Sequence, residues 1–103
     1  MKVKKLVVDS SALIQNIKIE EYGDEIYTIR EVVSEVRDKA TRVRLQTVPY
    51  QFIFREPTQE CYKIVKEASL KIGDYNNLSV VDLRILALTV QMAKEAGMEA
   101  LEK

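Results

Sequence analysis

The pattern of apolar and polar positions at the start of the chain predicts one strand and one helix. Residues 6–8 (LVV) form a short apolar run rich in β-branched side chains, which is typical of a buried parallel strand, and the run ends at Asp9. Ser10 and Ser11 follow, and both are favourable N-caps for a short helix over residues 12–17.

A second helix is predicted after Thr28, because Thr28-x-x-Glu31 has the spacing of a capping box. We expect this helix to run to about Thr41. Its apolar face would contain Val32, Val33, Val36 and Ala40. Residues 43–54 are β-prone, and Pro49 either divides them into two short strands or marks an edge strand.

A third helix is predicted to open at Pro57 and Thr58 and to end at Gly73. Its apolar face would contain Cys61, Ile64, Val65, Ala68 and Ile72. Cys61 is the single cysteine, so an internal disulfide is excluded. A lone cysteine fits a reducing cytosol, and at this position packing is its simplest role. We therefore expect a cytoplasmic protein.

The most apolar helix is predicted over residues 80–96. Ser79-x-x-Asp82 has capping-box spacing at its start, and Gly97 would end it. Few polar positions interrupt this helix, so we expect it to be largely buried. Strands alternating with helices indicate an α/β fold with a parallel sheet. A further strand would normally come after such a helix, so we expect residues 1–103 to form one domain that is incomplete at its C-terminus.

The composition narrows the chemistry that this chain can perform. Sixteen basic side chains balance sixteen acidic ones, and there is no histidine. Without histidine and with one cysteine, a zinc site of nitrogen and sulfur ligands is excluded, as are Ser-His-Asp and Cys-His catalytic arrangements. Catalysis would have to rely on carboxylates, hydroxyls, lysine or arginine. No apolar segment is long enough to cross a membrane, and Asp9 interrupts the apolar run that a signal peptide would need.

Three carboxylates stand at positions that favour a functional role. Asp9 directly follows a buried strand, and sites in open α/β sheets gather at the carboxyl ends of strands. Glu35 borders the apolar face of the second helix. Each has a structural alternative, since Asp9 could cap the next helix and Glu35 could be a solvated side chain paired with Lys39.

Asp82 gives the clearest signal for a metal. It could be a plain capping carboxylate, but Ile85 and Leu86 one turn later predict that it points towards an apolar face. An unpaired charge there costs several kcal/mol, and the chain has no histidine to act as its partner. A divalent cation shared by several carboxylates would resolve this, and hard oxygen ligands suit Mg²⁺ or Mn²⁺.

Three segments together resemble a known family. VVDSSALI, then YTIREVVSEVRDKATRVRL and GDYNNLSVVDLRILALT, closely resemble the PIN domain of the Nob-type endonucleases, which mature the end of small-subunit ribosomal RNA. The resemblance implies a three-layer PIN-like fold with a short parallel sheet flanked by helices. It also implies a metal-dependent endoribonuclease that hydrolyses a phosphodiester bond in precursor small-subunit ribosomal RNA within a small-subunit precursor.

The resemblance implies a role for particular residues. Asp9, Glu35 and Asp82 would be the catalytic acids that hold Mg²⁺ or Mn²⁺, and Ser10 and Ser11 would position a water or the backbone. A basic segment beside the acids would bind RNA phosphates, unless it is merely a solvated helix end: Arg37, Lys39, Arg42 and Arg44.

The chain departs from the family pattern after Gly97, where neither a fourth acid in a suitable context nor paired cysteines of a zinc ribbon occur. We therefore expect a fragment that lacks the last strand and the zinc ribbon, and whose activity depends on residues beyond Lys103. Two alternatives remain: a non-catalytic PIN domain that binds RNA or a ribosomal partner, and a toxin-type PIN ribonuclease. An exposed sheet edge would also offer a second copy of the chain a place to pair, so a homodimer is a further expectation.

Overall fold

The computed structural model describes residues 2–15, 17–73 and 75–102, and the chain divides into two compact units, residues 1–55 and 56–103. The first unit contains β1 (Val3–Val7), α1 (Ser10–Ile14), β2 (Gly23–Thr28), α2 (Arg30–Glu35), α3 (Lys39–Leu45) and β3 (Phe52–Phe54). The second unit contains α4 (Gln59–Lys71) and α5 (Val80–Glu102). The predicted α/β class is confirmed by the parallel sheet and the five helices.

The sheet has the order β1-β2-β3, and both pairings are parallel. Its central strand β2 was missed in the sequence because it begins with glycine and two acids. Gly23 allows close contact with β1: a Cβ atom there would lie 2.6 Å from the Cβ of Leu6. The apolar half of β2 is buried, and Ile26 is 1% exposed. Glycine and charged residues have low β-propensity, so the sequence pattern does not predict this strand. Contacts with the neighbouring strands stabilise it.

The first helix begins earlier than predicted. Asp9 is its N-cap, and the Asp9 carboxylate accepts a hydrogen bond from the Ala12 backbone N–H at 3.1 Å. Ser10 and Ser11 therefore form the first turn and are not caps. The helix ends at Ile14 rather than at residue 17.

The single helix predicted from Thr28 to Thr41 is wrong, because two helices occupy this region. Thr28 ends β2, and α2 stops at Glu35 with Val36 in an extended conformation. Asp38 then caps α3, accepting hydrogen bonds from the Thr41 N–H at 2.9 Å and the Thr41 hydroxyl at 2.7 Å. This cap competes with continuation of α2, since the side chain satisfies donors that a continuous helix would bond internally.

Only part of the β-prone segment 43–54 forms a strand. Residues 43–45 belong to α3, and Phe52–Phe54 alone form β3. The pairing of Ile26 with Phe52 and of Thr28 with Phe54 fixes the register of this short strand. Among the described residues β3 has one strand neighbour, β2, so it lies at an edge of the sheet, as the position of Pro49 allowed.

The predicted limits of α4 are confirmed, whereas three residues of its predicted apolar face are exposed: Ile64, Ala68 and Ile72. The Thr58 hydroxyl accepts from the Cys61 N–H at 3.2 Å, and Gly73, at φ +78°, follows the last turn as a left-handed C-terminal residue. Cys61, Val65 and Ser69 are buried, but Ile72 is 74% exposed. Cys61 is thus a packing residue, as expected.

The last helix is longer and more exposed than predicted. It continues through Gly97 to Glu102, and Val80 is 63% exposed. Its buried residues Leu83 and Ala87 pack in one cluster with Cys61 and Val65 of α4. None of the described helices has the length and apolarity that a membrane crossing requires.

Candidate functional site

Asp9 lies where the sequence predicted, immediately beyond the carboxyl end of β1. Val7 pairs with Tyr27 near the carboxyl ends of the two parallel strands, and Asp9 follows two residues beyond this pair. The Asp9 side chain is exposed although one oxygen caps α1. Asp9 therefore caps the next helix, which was the alternative to a functional role. The cap uses one carboxylate oxygen and leaves the second for a further contact.

The ends of the two strands are tied together beside Asp9. The Thr28 hydroxyl, fully buried, donates a 2.9 Å hydrogen bond to the Val8 carbonyl. Ser10 is half-buried and Ser11 is exposed. Both lie in the first turn of α1 and directly follow Asp9 in the sequence. Thr28 was interpreted from sequence as a helix cap, and its role in joining the strands was missed.

Glu35 is the last residue of α2 and is exposed. The helix predicted to continue past Glu35 to about Thr41 ends here, since the backbone leaves the helix at Val36. Glu31, one turn earlier on α2, is half-buried and its Oε2 atom is enclosed by protein. From sequence Glu31 was interpreted only as a capping residue, whereas the structure gives it a more buried carboxylate than that of Glu35.

Asp82 forms the predicted capping box at the start of α5. Its carboxylate accepts from the Ser79 N–H at 3.0 Å, and its own N–H donates to the Ser79 hydroxyl at 3.0 Å. The Asp82 side chain is exposed, so the prediction that it points into an apolar environment is wrong. The two hydrogen bonds and solvent stabilise its charge, and burial no longer argues for a metal at this residue.

The carboxylates supply the hard oxygen donors that a divalent cation prefers, and three are exposed to solvent. Across residues 2–15, 17–73 and 75–102, however, no group of three or more cysteine, aspartate and glutamate side chains is arranged to hold a metal ion. The carboxylate oxygens are donors of the type that binds a divalent cation. The assignment of Asp9, Glu35 and Asp82 as metal ligands nevertheless stays a prediction.

The basic segment divides into exposed residues and one structural residue. Arg37, Lys39 and Arg42 are exposed. Arg44 is half-buried, and its guanidinium donates a hydrogen bond to the backbone carbonyl of Leu13. Arg44 therefore links α3 to α1, a role that the charge pattern alone does not reveal.

A groove that was not predicted from the sequence lies between α2, α3 and β3. We call it the aromatic groove, and it has a volume of 440 Å³. Its polar and aromatic lining residues are Arg30, Ser34, Arg42, Gln46, Phe52 and Phe54. The alternation of Tyr50, Phe52 and Phe54 at every second position was the available signal, because period-two spacing places side chains on one face of a strand.

The chain belongs to the PIN domain family. Residues 6–92 match the family described as the PIN domain of ribonuclease. The nucleases of this family generally depend on a divalent metal.

Relatives of this chain include proteins from mammals, archaea and fungi. It is 47% identical to the mouse (Mus musculus) RNA-binding protein NOB1 over 102 residues, 98% of this chain. It is 39% identical to endoribonuclease Nob1 of Pyrococcus abyssi, over 88% of this chain and 55% of the relative. It is 35% identical to the 20S-pre-rRNA D-site endonuclease nob1 of Schizosaccharomyces pombe, over 90% of this chain and 24% of the relative.

The chain spans 25% of the mouse relative's length, so the activities of the complete relatives are proposals for residues 1–103. The expected resemblance to the Nob-type PIN domain is nevertheless confirmed.

Proposed function

We propose that this chain is the nuclease part of a divalent-metal-dependent endoribonuclease that hydrolyses a phosphodiester bond in precursor small-subunit ribosomal RNA. The observation that carries the proposal is the position of Asp9, an exposed carboxylate at the carboxyl end of β1 in a chain of the PIN family. The names of relatives, an endoribonuclease and a pre-rRNA endonuclease, support the substrate class.

Asp9, Glu35 and Asp82 are proposed as the acids that bind the metal, with Mg²⁺ or Mn²⁺ as the ion. When bound, such an ion lowers the pKa of a coordinated water and offsets charge on the scissile phosphate. One Asp9 oxygen accepts from the Ala12 N–H, which leaves the second oxygen as the proposed metal ligand. Ser10 and Ser11 are proposed to position a water or the backbone beside it.

Metal binding can be measured directly by thermal unfolding in Mn²⁺. At about 100 times the dissociation constant, a single bound ion raises the free energy of unfolding by about 2.7 kcal/mol. We expect Asp9→Asn and Asp82→Asn to abolish this gain. Asp38→Asn is the matched control for Asp9, because both aspartates are helix N-caps that accept from the third N–H. Glu60→Gln is the control for Asp82, because Glu60 also lies in a first helical turn.

Hydrolysis is tested with a single-stranded RNA substrate that includes a small-subunit precursor sequence. Cleavage that requires Mn²⁺ or Mg²⁺, stops with EDTA and is lost in Asp9→Asn would support the proposal. RNA binding without any metal-dependent cleavage would favour the non-catalytic PIN alternative. Cleavage of unrelated RNA at an equal rate would favour a toxin-type ribonuclease over a precursor-specific enzyme.

Arg37, Lys39 and Arg42 are proposed to bind RNA phosphates, because all three are exposed cations on or beside α3. Removing one phosphate contact weakens binding across sequences and lowers the slope of log affinity against log salt by about 1. We expect this for Arg42→Ala. Lys63→Ala, an exposed lysine on α4, is the control and should leave the slope unchanged. Equal slopes of log affinity against log salt in the wild type, Arg42→Ala and Lys63→Ala would contradict the assignment of Arg42 as a phosphate contact.

The proposed partners and location depend on the same assignment. We propose that the chain is part of one PIN domain in a cytoplasmic protein that acts on a small-subunit ribosomal precursor. The free thiol of Cys61 is compatible with a reducing compartment. A homodimer formed through an exposed edge of the sheet is a secondary proposal, and sedimentation velocity over a range of concentrations tests it.

A further inference from the structure

We propose that the aromatic groove binds an unpaired RNA base, so that a single-stranded segment is held beside α2. This inference rests on the proposed RNA-directed function and names how the RNA is held. Phe54 is 37% exposed, and its ring and that of Phe52 are 6.1 Å apart on the same edge strand. Tyr50, two residues before β3, packs edge-to-face against Phe52 at 5.4 Å and supports this ring from outside the groove. Phe52 and Phe54 both line the groove and supply aromatic surface on which bases can stack.

Arginine completes the stacking surface. The guanidinium carbon of Arg30 lies 4.6 Å from the centroid of the Phe54 ring, a distance typical of a cation–π pair. This contact holds a planar cation at the groove wall. Bases stack on arginine planes as well as on aromatic rings, and the cation attracts the electron-rich base and its phosphate.

The charge of the lining selects the kind of occupant. Arg30 and Arg42 are both in the wall, and none of the residues that line the groove is acidic. An apolar helix from a protein partner would cover both cations without supplying an opposite charge, and desolvating an unpaired charge is costly. A nucleotide offers an apolar, stackable base together with a phosphate, so its chemistry matches the wall on both counts.

Two polar side chains among the lining residues can pair with the edge of a base. Gln46, the C-cap of α3, carries both a donor and an acceptor. The Ser34 hydroxyl donates to the Glu31 carbonyl at 2.9 Å, which leaves its oxygen to accept. Ser34 immediately precedes Glu35 in α2. An RNA segment that contacts Ser34 in the groove would therefore lie one residue away from a proposed metal ligand. The groove volume of 440 Å³ is in the range of about 300–1,000 Å³ usual for sites that take small molecules.

A tryptophan reporter tests stacking directly, because the natural sequence contains no tryptophan. In the Phe54→Trp variant of the 103-residue chain, an eight-nucleotide single-stranded RNA should quench the indole emission. A double-stranded RNA of the same length and inorganic polyphosphate should not, since neither presents an unpaired base. Equal quenching by polyphosphate would overturn the proposal and reduce the groove to a charged surface.

Affinity gives the second measurement. Loss of one base-stacking contact lowers affinity by about fivefold to a hundredfold. We expect this for Phe54→Leu, with recovery in Phe54→Tyr. Ile53→Leu is the matched control, since Ile53 is also 37% exposed on the same strand but points to the other face. It should change affinity by less than about twofold. Urea unfolding of each variant confirms that the proteins compared are folded.

The outcomes separate this proposal from the proposed function. Unchanged RNA affinity in folded Phe54→Leu overturns the groove assignment, even if metal-dependent cleavage persists. A change in self-association with unchanged RNA affinity also overturns it, because the groove would then be a surface for a second protein. Quenching in Phe54→Trp together with loss of affinity in Phe54→Leu supports the groove even if the wild-type chain cleaves no RNA. A lack of cleavage would contradict only the nuclease proposal.

Discussion

The hydroxyl of Thr28 donates a 2.9 Å hydrogen bond to the carbonyl of Val8 and joins the carboxyl ends of β1 and β2 one residue before Asp9. Thr28 is fully buried. Thr28→Val keeps the shape of the side chain but removes the donor, so we expect the free energy of unfolding to fall by about 1–3 kcal/mol. Urea denaturation measures this loss.

Thr89→Val is the matched control for Thr28, because the Thr89 hydroxyl makes an exposed local bond to the Ile85 carbonyl at 2.9 Å. Such a surface change should stay within about 0.5 kcal/mol. If Thr28→Val were as neutral as Thr89→Val, the bond to Val8 would not stabilise the strand ends. In that case the orientation of Asp9 would have to depend on its own cap.

Arg44→Ala should destabilise the protein, because the guanidinium of Arg44 bonds the carbonyl of Leu13, a residue only 1% exposed. We expect a loss of about 1–2 kcal/mol in the free energy of unfolding. Arg37→Ala, at an exposed position, should change it by less than about 0.5 kcal/mol. The comparison separates Arg44, which stabilises the fold, from the basic residues proposed to bind RNA. If Arg44→Ala left the free energy of unfolding unchanged, Arg44 would again be a candidate for RNA binding.

Asp38 should make part of the free energy of unfolding sensitive to acid. Hydrogen bonds from the Thr41 hydroxyl and backbone N–H, with a smaller contribution from the charge of Arg44, hold the pKa of Asp38 below its ordinary value of 3.8. A carboxyl whose pKa is lowered by folding stabilises the folded state above its unfolded pKa, and this stabilisation is lost as pH falls through the folded pKa. The benefit is therefore complete at neutral pH and declines below about pH 4.

Asp38→Asn removes this titration but keeps an acceptor for the cap. The wild-type protein should exceed the variant in free energy of unfolding at pH 7, and the difference should shrink between about pH 4 and pH 2. Urea unfolding at several pH values tests it. A difference that grows on acidification would mean that Asp38 is not stabilised as an anion in the folded protein.

The reciprocal bonds of Ser79 and Asp82 allow stability to be separated from metal binding. Ser79→Ala should lower the free energy of unfolding by about 1 kcal/mol through loss of the N-cap. It should leave the Mn²⁺-induced stabilisation unchanged. Asp82→Asn should have the reverse profile, with a small stability change and no response to Mn²⁺. If Ser79→Ala abolished the response too, the capping geometry itself would be required for binding.

The features that the sequence predicted well depend on neighbours close in the chain. The Thr58 cap, the left-handed Gly73 and the capping box of Ser79 and Asp82 each involve residues within a few positions of a helix end. Their donors and acceptors meet whenever the helix forms. Local spacing predicts them where the helix end itself is predicted correctly, whereas Thr28-x-x-Glu31 had the same spacing although Thr28 lies in β2.

The features that were missed depend on residues distant in the chain or on competition between local signals. β2 is stable beside β1 because Gly23 permits contact with Leu6, although its own first residues disfavour a strand. Helix α2 ends at Glu35, and Asp38 then caps a new helix. The apolar periodicity alone had predicted one helix continuing to Thr41. Apolar spacing likewise placed Asp82 against a buried face, whereas the structure exposes it.

By itself the sequence determined the α/β class, the PIN family and the position of Asp9 just beyond a strand, because apolar runs, caps and motif residues are local properties; it did not predict that β1 is only partly buried. Only the tertiary structure decided that Thr28 links two strands, that Arg44 bonds Leu13 and that Arg30 lies over Phe54. Each of these pairs is separated by 20 or more residues, and a side chain's spacing along the chain does not specify a partner that packing brings to it.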